Sequence, residues 1–142
     1  MNSFPLPQVV LGESSQRSAT VLVVDDYRSL CNMIAALLRP RGYSVLTASS
    51  GAQAQALARE NARIDLLLTD IEMPEMRGDE LAAWFRVTTP ETRILFMSSQ
   101  RGVSAPAPIH FLEKPFSANG LVTKVREVLN QNSAPIAETA AA

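Results

Sequence analysis

The sequence of 142 residues has little of what marks several large classes of protein. Its single cysteine, Cys31, excludes an internal disulfide and a zinc site built from several thiolates. It has no run of about 18 apolar residues that could span a membrane, and no cationic residue precedes Arg17, so a secretory signal is not expected. The formal net charge of −1 gives no electrostatic reason to expect nucleic acid or an anionic membrane as a partner. We therefore expect a cytoplasmic protein.

The composition and its distribution predict one domain with two tails. Hydrophobic residues make up 46% and charged residues 19% of the chain, which is typical of a globular protein. Residues 1–20 and 132–142 show no sustained hydrophobic period and are expected to be tails. One domain is thus expected over residues 21–131.

Between the tails, apolar runs alternate with helical patterns. The runs predict five strands, at residues 21–24, 44–48, 64–69, 93–97 and 109–112. The first helical pattern places Leu30, Met33, Ile34, Leu37 and Leu38 on one apolar stripe. Strands that alternate with helices predict an α/β fold, a doubly wound five-stranded parallel sheet covered on both faces. In such sheets ligands bind beyond the carboxyl ends of the strands.

Polar and charged residues stand at those ends. Asp25 and Asp26 close the first strand, Asp70 the third and Ser98 the fourth, and Lys114 follows the fifth. Two carboxylates at about 4 Å repel each other by about 4 kcal/mol at an effective dielectric of about 20, so a cation is needed. Oxygen ligands without histidine or cysteine favour Mg²⁺ (or Mn²⁺), and the lysine could neutralise the acids or hold an anion.

A carboxylate beside a divalent cation, a hydroxyl and an ammonium can act as a nucleophile that accepts a phosphoryl group. Other phosphate chemistries fit poorly, because the sequence has neither a GxxxxGK[ST] loop nor a GxGxxG turn after the first strand. A phosphatase of the haloacid dehalogenase type also uses an aspartyl nucleophile and has a second acid of its motif two residues after it. The residue at that position is Glu72, with Met73 and Pro74 after it, and we therefore disfavour this alternative.

Four motifs in order make residues 21–131 resemble the receiver domain of two-component response regulators. They are VLVVDD at 21–26, LLLTDIEMP at 66–74 with Gly78 after it, ILFMS at 94–98 and FLEKPF at 111–116. The resemblance implies a flavodoxin-like sheet with strand order 2-1-3-4-5. It also implies that Asp70 is the phosphoacceptor. The metal would be bound by Asp26 directly, by Asp25 through water, by Asp70 and by the backbone carbonyl of Glu72.

The resemblance assigns further roles. Ser98 and Lys114 would hold the phosphoryl oxygens, and Phe111 would turn inward when Ser98 moves towards the phosphate. A cis peptide bond is expected between Lys114 and Pro115. The donor would be a phosphohistidine on a sensor histidine kinase or a histidine phosphotransfer protein. The chain would catalyse only its own phosphorylation and dephosphorylation and would not be an enzyme that acts on a separate substrate.

The sequence departs from the family pattern between strands four and five. Only residues 99–108 are left for that crossover, and Gly102, Pro106 and Pro108 oppose a helix there. We therefore expect the fourth helix of the family to be shortened or replaced by a loop. In the family, the surface formed by the fourth helix, the fifth strand and the fifth helix commonly carries dimer contacts. These contacts would be weakened or replaced here, which leaves a homodimer as an open alternative. The side chains of Glu72 and Gln100 are candidates to influence dephosphorylation.

Simpler interpretations stay open for single residues and for the whole chain. Asp25 and Asp26 could cap the first helix. Cys31 is expected to be a small packing residue and His110 an ordinary strand residue. The alternative function is a receiver-like adaptor that does not switch and binds a fixed protein partner. No sequence after residue 131 is long enough for an output domain, so signalling through protein contacts is expected. A stand-alone regulator, a phosphate shuttle and a receiver cut from a hybrid kinase all fit the sequence.

Overall fold

Strands and helices alternate along the chain in the computed structural model, which describes residues 18–61, 63–99 and 110–130. The strands are β1 (Thr20–Val24), β2 (Ser44–Ala48), β3 (Leu66–Asp70), β4 (Arg93–Ser98) and β5 (His110–Glu113). The helices are α1 (Arg28–Leu38), α2 (Gly51–Glu60), α3 (Gly78–Thr88) and α4 (Ala118–Asn130), and a 3-10 helix (Arg39–Arg41) follows α1. None of the helices in these ranges is long and apolar enough to cross a membrane.

The five strands form one parallel sheet in the order β2-β1-β3-β4-β5. Its register aligns the carboxyl ends of the strands. Val24 pairs with both Ala48 and Thr69, and Ser98 pairs with Glu113. The doubly wound parallel fold with order 2-1-3-4-5 is thus confirmed. The predicted shortening or loss of the helix between β4 and β5 concerns residues 99–108, and of these only Ser99 belongs to the described residues.

Helices cover both faces of the sheet, so the central strands have no polar face. Alternate residues of β1, β3 and β4 point to opposite sides, and nearly all of them are buried. The first cluster joins one face to α1 and α4 and includes Val21, Val23, Leu66, Leu68, Ile34, Leu38, Leu121 and Val125. The second joins the other face to α2 and α3 and includes Leu22, Leu67, Phe96, Ala54, Leu81 and Phe85. This packing holds the strand ends at fixed positions.

Three local expectations need correction. Strand β1 begins at Thr20, inside the segment expected to be a tail, and β3 begins at Leu66 and not at residue 64. Met33 is 44% exposed, so its place on the buried stripe was wrong. The buried face of α1 contains Cys31, Ile34, Ala35 and Leu38. Because this face packs against the sheet, Met33 lies on the side of the helix that faces solvent.

Candidate functional site

Three carboxylates meet at the carboxyl edge of β1 and β3. Each of Asp25, Asp26 and Asp70 offers a carboxylate oxygen, and these oxygens all lie within 4.8 Å of one another. Asp25 and Asp70 are 1% and 5% exposed, whereas Asp26 is exposed. The cluster therefore has two buried charges at its base and one charge at its mouth. This is the juxtaposition that the sequence predicts.

The ammonium group of Lys114 is the cation that faces the two buried acids. Its Nζ donates a hydrogen bond to Asp25 Oδ2 at 2.9 Å and lies 3.4 Å from Asp70 Oδ1. Burial opposes the charge of Lys114, but the hydrogen bond and the attraction to the two carboxylates outweigh it and raise the pKa of the lysine. Lys114 therefore stays charged and is directed mainly at Asp25.

Asp70 is the carboxylate whose charge is least compensated. Burial and the repulsion from Asp25 raise its pKa from 3.8 to about 6, with the attraction to Lys114 opposing them and the charge of Glu72 adding to them. The 3.4 Å approach of Lys114 does not have hydrogen-bond geometry, and the buried Oδ1 atom of Asp70 is without a hydrogen-bond partner. A buried anionic oxygen in this state is suited to a divalent cation or to a new covalent bond.

Local contacts fix Asp25 and show that it does not cap α1. Its Oδ1 accepts the backbone N–H of Tyr27 at 2.9 Å, and its own N–H donates to the carbonyl of Ala48 at 3.1 Å. Tyr27 occupies the N-cap position without a side-chain cap, and the first turn has no acidic residue. The carboxylates that follow β1 are thus available to the site.

Cys31 packs beside the site as a neutral thiol. Its thiol donates a hydrogen bond to the backbone carbonyl of Asp25 at 3.5 Å, and burial raises the pKa of the thiol to about 11.

Gly78 lies directly against the backbone of Asp70. A Cβ atom at this position would clash with the Asp70 carbonyl oxygen and would lie 2.9 Å from Ile71 Cα. The N–H of Gly78 donates to the Ile71 carbonyl at 2.9 Å, and the Thr69 hydroxyl donates to the Asp70 carbonyl, also at 2.9 Å. The sequence marks Gly78 only as part of a motif. Its role is to let the loop after β3 fold back onto the residue that carries the candidate nucleophile.

The loop between β3 and α3 also contains a strained residue that the sequence does not reveal. Glu75 has a φ of 71°, and the N–H of Met76 donates to the Pro74 carbonyl at 2.7 Å across it. Left-handed backbone is uncommon for a residue other than glycine and costs about 1–3 kcal/mol. No local pattern identifies a glutamate as the residue that takes this conformation.

Ser98 reaches the same edge at the end of β4, but its hydroxyl faces Glu72. The hydroxyl donates to the carboxylate of Glu72, at 3.3 Å from Oε1 and 3.2 Å from Oε2. The Ser98 carbonyl accepts the N–H of Lys114 at 2.8 Å, which ties the residue after β5 to the end of β4. From the sequence, the side chain of Glu72 is a candidate only for an influence on dephosphorylation. Its contact with Ser98 was not anticipated.

Two further predicted positions, Phe111 and Pro115, lie on β5 and directly after Lys114. Phe111 is half-buried on β5, with its ring centroid 6.0 Å from that of Phe96. The peptide bond between Lys114 and Pro115 is cis. Gln100 lies outside the described residues.

The donor set fits a divalent cation. It consists of hard carboxylate oxygens, and one of them is a buried atom that lacks a hydrogen bond. Asp25, Asp26 and Asp70 are the side chains that could hold the ion. The nearby ammonium and hydroxyl groups are suited to an anion bound against the same carboxylates.

Comparison with known proteins agrees with this geometry. A sequence model of the family described as the response regulator receiver domain matches residues 21–126. The chain is 36% identical over 121 residues to the sensor kinase CckA of Brucella abortus (strain 2308), a match covering 80% of the chain and 13% of that kinase. It is 34% identical over 137 residues to the transcriptional regulatory protein ZraR of Klebsiella oxytoca, covering 90% of the chain and 31% of that regulator. The chain therefore spans less than a third of the length of each of these two relatives.

Solved structures show the same similarity. The crystal structure of the receiver domain from the hybrid histidine kinase CckA has a TM-score of 0.70 and 33% identity, covering 79% of this chain and 100% of that one. The chemotaxis protein CheY4 of Vibrio cholerae has a TM-score of 0.70 and 31% identity, covering 78% of this chain and 98% of that one. Both similarities extend over nearly the whole of the solved chains.

Proposed function

Since the chain belongs to the family of response regulator receiver domains, we propose that it is a phosphorylatable receiver of a two-component phosphorelay and that Asp70 is its phosphoacceptor. The observation that carries the proposal is the state of Asp70 Oδ1, which is buried, lacks a hydrogen-bond partner and lies 3.4 Å from the Lys114 ammonium. Receiver domains are in general signalling domains and not enzymes. The proposal goes further in assigning to this chain its own phosphorylation and dephosphorylation.

The proposed reaction is the transfer of one phosphoryl group to Asp70. A carboxylate oxygen of Asp70 attacks phosphorus and forms an O–P bond while the P–N bond of a phosphohistidine breaks. The electron pair of the broken bond goes to the imidazole nitrogen, and the imidazole leaves as a neutral molecule with its proton on the other ring nitrogen. Because the attacking Asp70 carboxylate has no proton to lose, no base is needed on its side. Lys114 offers its ammonium to the transferred oxygens, and Ser98 offers its hydroxyl.

We propose Mg²⁺ or Mn²⁺ as the cofactor of this site. The ion would be held by the side chains of Asp25, Asp26 and Asp70 and by the backbone carbonyl of Glu72. When bound, it neutralises charge on the acids and on the phosphoryl oxygens. The side chains of Asp25 and Lys114 are already fixed in place by hydrogen bonds to Tyr27 and to each other. Little rearrangement is therefore required of these residues.

The proposed partners are proteins. A sensor histidine kinase or a histidine phosphotransfer protein would supply the phosphoryl group, and we place the chain in the cytoplasm, where ATP charges such kinases. Ser98 and Phe111 would report phosphorylation to a downstream protein. Phe111 is suited to this role because it is half-buried and packs beside Phe96 on the neighbouring strand.

The test is phosphorylation by a small donor. The protein is incubated with Mg²⁺ and acetyl phosphate, and the mass of the intact chain is measured. We expect one phosphate adduct in the wild type and in Asp79→Asn, whose substituted side chain is exposed, and none in Asp70→Asn. No adduct in the wild type with several donors, or an adduct that persists in Asp70→Asn, would contradict the proposal. The first of these results would favour a fixed adaptor.

A further inference from the structure

The hydroxyl of Ser98 is held by a carboxylate other than that of the phosphoacceptor. Ser98 is buried, and its hydroxyl lies 3.3 and 3.2 Å from the two oxygens of Glu72. Both distances are long for an O–H···O⁻ hydrogen bond, so the bond is shared and weak. A weak bond of this kind can be exchanged for a shorter one without a large barrier.

A hydroxyl group has only one proton to donate. While the Ser98 proton is directed at Glu72, it is not available to an oxygen of a phosphoryl group on Asp70. The charge of Glu72 also acts on the acceptor, since it contributes to the raised pKa of Asp70. Glu72 thus competes with a phosphoryl group for the same hydroxyl and stands close enough to influence the phosphoacceptor.

We propose that Glu72 is a positioning residue that restrains phosphorylation of Asp70 by holding the Ser98 hydroxyl in the unphosphorylated protein. The proposal rests on the proposed function. Formation of the phosphoaspartate then requires the hydroxyl to turn from the glutamate to the phosphoryl oxygens. The carboxylate and the phosphoryl group therefore exclude each other as acceptors of the Ser98 proton.

A double-mutant cycle between Glu72 and Ser98 tests the proposal. The rate of adduct formation from acetyl phosphate with Mg²⁺ is measured for the wild type, Glu72→Ala, Ser98→Ala and the double variant. Loss of one weak hydrogen bond predicts that Glu72→Ala raises the rate about two- to tenfold. In the Ser98→Ala background the same substitution should change the rate by a clearly smaller factor, because only the charge of Glu72 is then left to act on Asp70. Ser98→Thr, which keeps the hydroxyl, should restore the effect.

Further variants separate the hydrogen bond from charge alone. Glu72→Gln keeps an oxygen acceptor but loses the charge, so its rate should lie between those of the wild type and Glu72→Ala. Glu91→Ala is the matched control, because this exposed glutamate precedes β4 at the opposite edge of the sheet. Equal rates for Glu72→Gln and Glu72→Ala, or equal effects in the two Ser98 backgrounds, would overturn the inference. Absence of adduct in every variant would overturn the proposed function and the inference together.

Discussion

Removing the charge of Asp70 should stabilise the metal-free protein. Burial, followed by repulsion from Asp25, raises the pKa of this carboxyl to about 6, so the folded state binds its proton more tightly than the unfolded state does. The stability of the wild type therefore falls as the pH rises from 3.8 to about 6, and the full loss remains above that range. Asp70→Asn keeps the shape of the side chain and has no charge to bury.

The size of the effect follows from the pKa. A tenfold change in an acid dissociation constant corresponds to about 1.4 kcal/mol. The rise from 3.8 to about 6 thus predicts that the substitution increases the free energy of unfolding by up to about 3 kcal/mol at about pH 7.5. At about pH 5 the gain should be about half as large, because the wild-type carboxyl is then mostly protonated in the folded state.

Urea unfolding in the presence of a chelator measures this difference. Asp79→Asn is the matched control, since its exposed ion pair with Arg77 should contribute no more than about 1 kcal/mol at any pH. Added Mg²⁺ should stabilise the wild type more than Asp70→Asn, because a ligand of the folded state stabilises by mass action. The reasoning is refuted if Asp70→Asn is no more stable than the wild type at about pH 7.5, or if its gain is the same at both pH values.

Three other substitutions have defined outcomes. Gly78→Ala should lower the free energy of unfolding by about 1–3 kcal/mol, because its Cβ meets the backbone carbonyl oxygen of Asp70. The Cβ of Gly120→Ala meets only a flexible side chain, so this variant should change the stability little in the same urea titration. Lys114→Met should leave the buried Asp25 without its cation and lower the free energy of unfolding in urea by about 2 kcal/mol. It should also abolish the phosphate adduct in the mass measurement, and an adduct formed at the normal rate would contradict the role given to the lysine. Thr92→Val removes a buried hydrogen bond to the Ile64 carbonyl at the amino ends of the strands and should lower the free energy of unfolding in urea by about 1–3 kcal/mol. The rate of adduct formation should not change, and a slower rate would show that the two ends of the sheet are coupled.

The sequence was most informative where a strand ends in a change from apolar to polar residues. β2 was predicted with both its boundaries, and the meeting of Asp25, Asp70 and Lys114 at the carboxyl ends of the strands followed from parallel topology alone. Parallel topology brings strand ends together whatever the details of packing. This is why residues far apart in the chain could be placed at one site.

Side-chain direction was harder to predict. In α1 the apolar pattern is wider than the buried face, and the side that meets the sheet includes the small residues Cys31 and Ala35, which the pattern does not single out. The contact between Ser98 and Glu72 depends on the rotamers of two side chains, one at the end of β4 and the other in the loop after β3. The approach of Gly78 to Asp70 depends on the path of a loop. None of these follows from a pattern of residue types, since each is set by packing across the fold.

The register of the sheet determines where the chain can gain or lose residues. Asp70 pairs with Met97 as the last residue of a wholly buried strand. An insertion of one residue within β3 would reverse the side chains beyond it and turn the acid away from its neighbours. At the opposite edge, the turn at Gly42 could lengthen at only the slowly rising cost of closing a longer loop. Changes of length are therefore expected to accumulate at the edge remote from Asp70 and to be rare within β1, β3 and β4.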